Sequence, residues 1–198
     1  MKKSNVSMII TFVLLVVFVF LVNPAMSFQN EPTGPFGPNS PVKWGASLEE
    51  FPESFKQNMI AASPAPYTSS TAKVERYDIN LGGANGLSYV SLIFENGKIV
   101  AYVQYYAVYQ RLLMDLQSLC AYHGMGTNFF TEDDLTTQQL GDKRVIMIWS
   151  GNITTVVMDS RGSLLSCKPE YVTKMGYGPE KIKEMGMKIT QAENTQSS

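Results

Sequence analysis

The sequence predicts an α+β domain: an antiparallel sheet of about six strands, with helices packed on one face, behind an N-terminal signal or anchor segment. Three observations carry this. Short segments of alternating apolar and polar residues are separated by Gly and Asn turns; residues 109–120 hold a sustained helical periodicity; and the elements run helix, three strands, helix, three strands. Such halves usually merge into one antiparallel sheet with helices over one side.

Lys2 and Lys3 precede an apolar run from Met8 to Val22, interrupted only by Thr11, and Pro24-Ala25-Met26-Ser27 follows. Positive charge, apolar core and a small-x-small end are the three parts of a secretory signal over residues 1–27. Ala25 and Ser27 suit a signal peptidase, which places the cut between Ser27 and Phe28. The alternative is a single-span anchor over residues 6–22, long enough as a helix for a thin bilayer. Either way the rest is exported, to the periplasm or outside the cell, touching the inner membrane only through this segment. No Cys follows the run, which excludes lipid attachment there.

Residues 28–43 hold four prolines and two glycines, a composition that favours extended polyproline-like chain and reads as a linker. The folded domain is expected over residues 44–176. Ser47 with Glu50 forms a capping box, and Leu48, Phe51, Phe55 and Met59 recur at helical spacing, giving a helix kinked at Pro52 and ending near Ala62. Tyr77, Ile79 and Leu81 alternate with Arg76, Asp78 and Asn80, a half-buried strand. Leu87 to Phe94 and Ile99 to Tyr106 follow as strands, joined through Asn96-Gly97, the dipeptide of a tight type I′ hairpin.

Tyr109, Leu112, Leu113, Leu116, Leu119 and Cys120 form one apolar stripe, so a helix packs there and stops at Gly124. Residues 129–142 are less regular, with a short turn over 131–135. Arg144 to Ser150, Ile153 to Ser160 and Ser163 to Cys167 read as three more strands. Short helices are expected after Pro169 and Pro179, with residues 177–198 a short helical segment and a polar disordered tail. The layout resembles the tandem arrangement of periplasmic β-lactamase inhibitor proteins and related small envelope domains. That resemblance lies in element order and transfers no site residue.

Bulk chemistry narrows the function. Sixteen basic and 17 acidic residues leave a net charge of −1, so no overall field recruits nucleic acid. Cys120 and Cys167 enter an oxidising compartment on export and form a candidate disulfide, worth about 4 kcal/mol in the chain-entropy account; two buried thiols are the other reading. His123 is the sole histidine and belongs at a helix C-terminus, where a cation complements the dipole. Glu132-Asp133-Asp134 lacks the alternating spacing of a calcium loop and fits a helix cap. The glycines before Asn85-Gly86 lack the Lys-Ser/Thr of a phosphate loop and read as a turn. Gly-x-Ser-x-Gly is absent, and Asp159-Ser160-Arg161-Gly162 suits a hairpin turn. Asn152-Ile153-Thr154 matches a glycosylation sequon but sits in a turn that needs no sugar.

Tyr102, Tyr105, Tyr106 and Tyr109 are the aromatic candidates, and the first three are the expected ligand or partner surface. Tyr105 and Tyr106 should point to opposite sheet faces. No metal, cofactor or catalytic residue is assigned. The expected function is therefore non-enzymatic protein contact in the envelope or outside the cell. Its partner is an unidentified envelope protein or a second copy of the chain. A small-ligand site between sheet and helix near Tyr102 and Tyr106 is the alternative.

Overall fold

The structure is a computed structural model that describes residues 31–37, 39–124, 126–131, 144–185 and 187–190. It is an α+β fold on one antiparallel sheet. The strands are β1 (Ile60–Ala62), β2 (Val74–Asn80), β3 (Leu87–Glu95), β4 (Lys98–Tyr106), β5 (Thr127–Thr131), β6 (Val145–Ser150), β7 (Thr155–Asp159), β8 (Ser163–Cys167) and β9 (Met187–Thr190). Seven of them have five or more residues, and the short β1 and β9 close the two edges. The spatial order is β1-β2-β3-β4-β8-β7-β6-β5-β9. The sheet is thus two four-strand meanders, β1 to β4 and β5 to β8, joined where β4 pairs antiparallel with β8, Val103 opposite Leu165, with β9 added as a ninth strand beside β5.

Local chemistry explains the hairpins. Asn96 and Gly97 take φ of 52° and 71°, the left-handed pair that a type I′ turn demands. The expected boundaries of β3, β4 and β8 agree with the structure to within a residue. The strand count differs, because β1, β5 and β9 carry little local signal. Ile60 to Ala62 was expected at the end of a helix. Only Leu48–Glu50 (3-10) and α1 (Glu53–Lys56) are helical there, with Pro52 as the N-cap. The chain then turns back, and β1 pairs with Arg76–Asp78 of β2. In the presumed tail, β9 pairs with β5; residues 191–198 lie outside the described residues.

Both faces of the sheet are covered, which corrects the expectation of helices on one face. On the first face, Phe51, Val42 and Ala46 pack on Val90, Leu92, Phe94 and Ile99 in the β2–β4 half. The helix α2 (Tyr109–His123) covers the other half of that face, with Leu112, Leu116, Leu119 and Cys120 against Met147, Trp149, Val156 and Met158. The opposite face is covered by residues 169–185, which include α3 (Pro179–Glu184). There Tyr171, Val172, Met175, Ile182 and Met185 pack on Ile93, Val103, Val157 and Leu165. Val90 to Phe94 of β3 are buried on both sides as a result.

Residues 31–43 are not a free linker. Val42 is buried in the core. The Glu31 carboxylate accepts the backbone N–H groups of Ile153 and Thr154. Thr154, fully buried, donates its hydroxyl to the Pro32 carbonyl and accepts from Trp44 Nε1 at 2.6 Å. The folded unit therefore starts by residue 31, not 44. Proline-rich composition here marks extended chain laid onto a surface, with its polar groups satisfied by that surface. The leader, including Ser27 and Phe28, lies outside the described residues, and no described helix is long and apolar enough to cross a membrane.

Tyr109 departs from its expected place on the apolar stripe: it is 56% exposed. The first turn of α2 is set by Gly86, whose carbonyl accepts from Val108 N and whose Cα lies close under Arg111. A Cβ at Gly86 would meet Arg111 Cβ at 2.8 Å. The stripe begins one turn later, at Leu112.

Candidate functional site

Two halves and two faces divide the sheet into four quarters, and three of them lie beneath the N-terminal segment, α2 or residues 169–185. The fourth, β1 to β4 on the side of residues 169–185, is only partly covered by the described residues. Its rows follow from register: Ile60 beside Asp78 beside Ser91, Ala62 beside Arg76 beside Ile93, and Asn80 beside Tyr89 beside Tyr105. Ile60 is 65% exposed beside this polar row.

Alternation along β2 puts Arg76 and Asp78 on this face and Tyr77 and Ile79 in the core behind it. The Arg76 guanidinium donates twice to Asp78, Nε to Oδ1 at 2.8 Å and Nη2 to Oδ2 at 2.6 Å. Ser91, buried, donates its hydroxyl to the same Oδ1 at 2.6 Å. Asp78 holds the Arg76 pKa above its ordinary value. Arg76 also lies 5.9 Å from the Tyr89 ring centroid, and Tyr89 stacks on Tyr105 at 4.2 Å with 17° between planes. A rigid stack with a pre-oriented Arg is the composition found at the energetic centre of protein interfaces. Burial raises the Tyr105 pKa.

The three expected surface tyrosines do not form one surface. Tyr105 faces this quarter, whereas Tyr102 and Tyr106 face the other side, as the alternation requires. Tyr106 donates to Asp115 Oδ2 of α2 at 2.6 Å. The Tyr102 ring meets Phe36 edge-on at 5.2 Å, and burial pushes its pKa up to about 12. A cavity of about 400 Å³ lies instead along Pro41, Val42, Lys43, Trp44, Glu50 and Lys98. Sequence reasoning missed Tyr89, Arg76, Asp78 and Ser91 as a group. The available signal was the Arg-x-Asp pair on one strand face, which becomes informative only once the β2–β3 register is known.

A second polar centre is buried. Asp159 accepts from Arg144 Nη2 at 2.6 Å, Arg161 N at 3.0 Å and Tyr177 Oη at 3.4 Å, while Arg144 Nη1 reaches Met185 Sδ at 3.2 Å. The turn at 159–162 forms as expected, with Gly162 N donating to the Asp159 carbonyl at 3.0 Å. Its Asp carboxylate, however, anchors residues 169–185 to the sheet.

Cys120 and Cys167 are free thiols, which corrects the expected disulfide. They belong to clusters on opposite faces of the sheet, Cys120 under α2 and Cys167 beneath Tyr171 and Val172. Burial pushes the two thiols up to about 11 and about 12, so neither is a nucleophile at neutral pH. His123 ends α2 as expected, but burial lowers its pKa, which disfavours the cation that would answer the helix dipole. Residues 82–86 form a plain turn. Glu132, Asp133 and Asp134 lie outside the described residues. Among the described residues no three His, Cys, Asp or Glu side chains are grouped to hold a metal ion.

No protein-family model, curated protein or solved structure matches this chain.

Proposed function

We propose that this chain is an exported, non-catalytic contact domain, and that it engages a protein of the cell envelope through the partly covered quarter of its sheet. The observation that supports the reading is the Tyr89–Tyr105 stack. It stands beside the Arg76–Asp78–Ser91 network and the exposed Ile60, on the one quarter that the described residues leave partly covered. An aromatic pair rigid before binding loses little side-chain entropy on contact. The apolar rim at Ile60 and Ala62 supplies area that water leaves on docking.

The test is a photo-reactive phenylalanine analogue at Tyr89, with the same probe at Lys181 as control, in cells that express the full chain. The reading predicts a discrete protein adduct from position 89 alone, lost when Ile60→Asp is added. An adduct at twice the chain mass identifies the partner as a second copy. No adduct from position 89, or equal adducts from both positions, overturns the proposal.

A further inference from the structure

At the opposite end of β3, Glu95 closes a small cluster that local sequence does not announce. Tyr67, from the loop before β2, donates its hydroxyl to Glu95 Oε2 at 2.5 Å. The Tyr67 and Tyr171 ring centroids lie 6.5 Å apart at an angle of 44°. Between them sits the Lys174 ammonium, 4.6 Å from the Tyr171 centroid, 5.5 Å from the Tyr67 centroid and 3.0 Å from both Glu95 oxygens. The parts are unequally buried: the Glu95 side chain is 12% exposed and Lys174 is 43% exposed. Lys174 is thus the outer, more exposed member of the cluster.

Two aromatic faces and one carboxylate are what recognition of an alkylammonium requires. The rings offer their negative faces, and the carboxylate supplies the countercharge. Burial and the neighbouring carboxylate raise the Tyr67 pKa, so Tyr67 remains a donor. That bond, before any other cause, holds the Glu95 pKa below its ordinary value. Lys174 lowers it further, so the Glu95 carboxylate of the seat is anionic at neutral pH.

We propose that Tyr67, Tyr171 and Glu95 form a binding seat for an alkylammonium group, such as a lysine side chain of a partner protein, and that Lys174 is its exchangeable internal occupant. When Lys174 swings out, an external ammonium takes the same place and makes the same contacts. Because Tyr171 and Lys174 both belong to the segment that covers Ile93, exchange also loosens a polar fastening of that segment. Another, Tyr177 Oη on Asp159, is untouched.

The test uses the full chain, with tyrosine rings followed by NMR during titration with n-butylammonium chloride and with sodium chloride as the ionic control. In Lys174→Ala, saturable shifts are expected at the Tyr67 and Tyr171 rings. They should appear at about tenfold lower concentration than in the unmodified protein, where the internal occupant competes. They should vanish in K174A with E95Q. Absent or unsaturable shifts in folded K174A overturn the proposal, as do shifts that survive E95Q.

The unmodified protein gives a second readout that does not depend on any variant folding. Ring currents should displace the Lys174 ε-methylene protons upfield, and butylammonium should return them to the position of a free lysine. Protons that are never displaced, or never return, also overturn it.

Discussion

Glu31 and Thr154 are far apart in sequence, yet the Glu31 carboxylate accepts the Thr154 backbone N–H at 2.8 Å and the neighbouring Ile153 N–H as well. A charge-assisted bond of this kind contributes about 1.5–3 kcal/mol. It fastens the segment at Glu31 to the β6–β7 turn. Replacing Glu31 with Ala is therefore expected to destabilise the protein by about 2 kcal/mol, with Glu31→Gln between the two. Removal of residues 28–43 should cost more, because Val42 leaves the core. Urea denaturation of the three variants checks this, and an unchanged midpoint in the truncation would return these residues to a spacer.

The buried ion pair gives a second expectation. Removing Arg144 leaves the Asp159 carboxylate without its charged partner, so Arg144→Met is expected to cost about 3–5 kcal/mol. Adding Asp159→Leu should recover part of that loss, since no uncompensated charge then remains. Chemical denaturation of the single and double variants measures the coupling, which would be close to zero if the pair were merely incidental.

The thiols should behave as two buried groups. Native protein without reductant is expected to react with a disulfide reagent slowly at pH 8, because thiols near 11 and 12 hold little thiolate there. In concentrated guanidinium both should react fully with no reductant added. A reagent-silent denatured protein that releases thiols only after reduction would instead establish a bond between Cys120 and Cys167.

His123 sets a pH dependence. Its folded pKa lies below the ordinary 6.5, because burial disfavours the imidazolium. The unfolded chain therefore binds more protons as pH falls through 6.5, and stability falls with it. The unfolding midpoint should be lower at pH 5.5 than at pH 7.5, and His123→Gln should flatten that difference. The lowered carboxylates Glu49, Glu50, Glu95 and Glu170 lose their contribution further down, as pH falls from their ordinary 4.5, and so leave this window clear.

The proposed contact surface separates binding from folding. Tyr89→Ala removes half of a stack worth about 0.5–1.5 kcal/mol beyond its buried area. Partner cross-linking from a probe at Ile60 should be lost, while thermal unfolding moves only a few degrees. Loss of both together would make the stack a structural element alone.

What could be read from the sequence was what neighbours in sequence decide. Asn96-Gly97 announces its hairpin because the turn conformation is a property of two residues, and α2 shows itself through a repeated apolar stripe. β1 has three residues and gains its strand conformation only from Arg76–Asp78. Residues 31–43 look like solvated chain because the donors that satisfy Glu31 and Pro32 lie on a turn much later in sequence. The three candidate tyrosines were separable by strand alternation, but Asp115 and Phe36, which meet two of them, were not. The Arg76–Asp78–Ser91 network needed the pairing of β2 with β3 before it became a group at all.

The junction of the two meanders has a consequence for the order of assembly. Each meander closes through neighbouring hairpins and can form as soon as its own strands are made. β4, however, gains its second neighbour only when β8 has been synthesised, Ala101 waiting for Cys167. At ordinary elongation speeds that interval is on the order of seconds to ten seconds. During it the nascent first half presents a nine-residue strand with an unpaired edge, a ready template for the wrong neighbour. The same delay holds for Glu31, whose clasp cannot close before Thr154 exists. Rescue by a holding chaperone, or aggregation of chains stopped before residue 163, is where this fold should show its vulnerability.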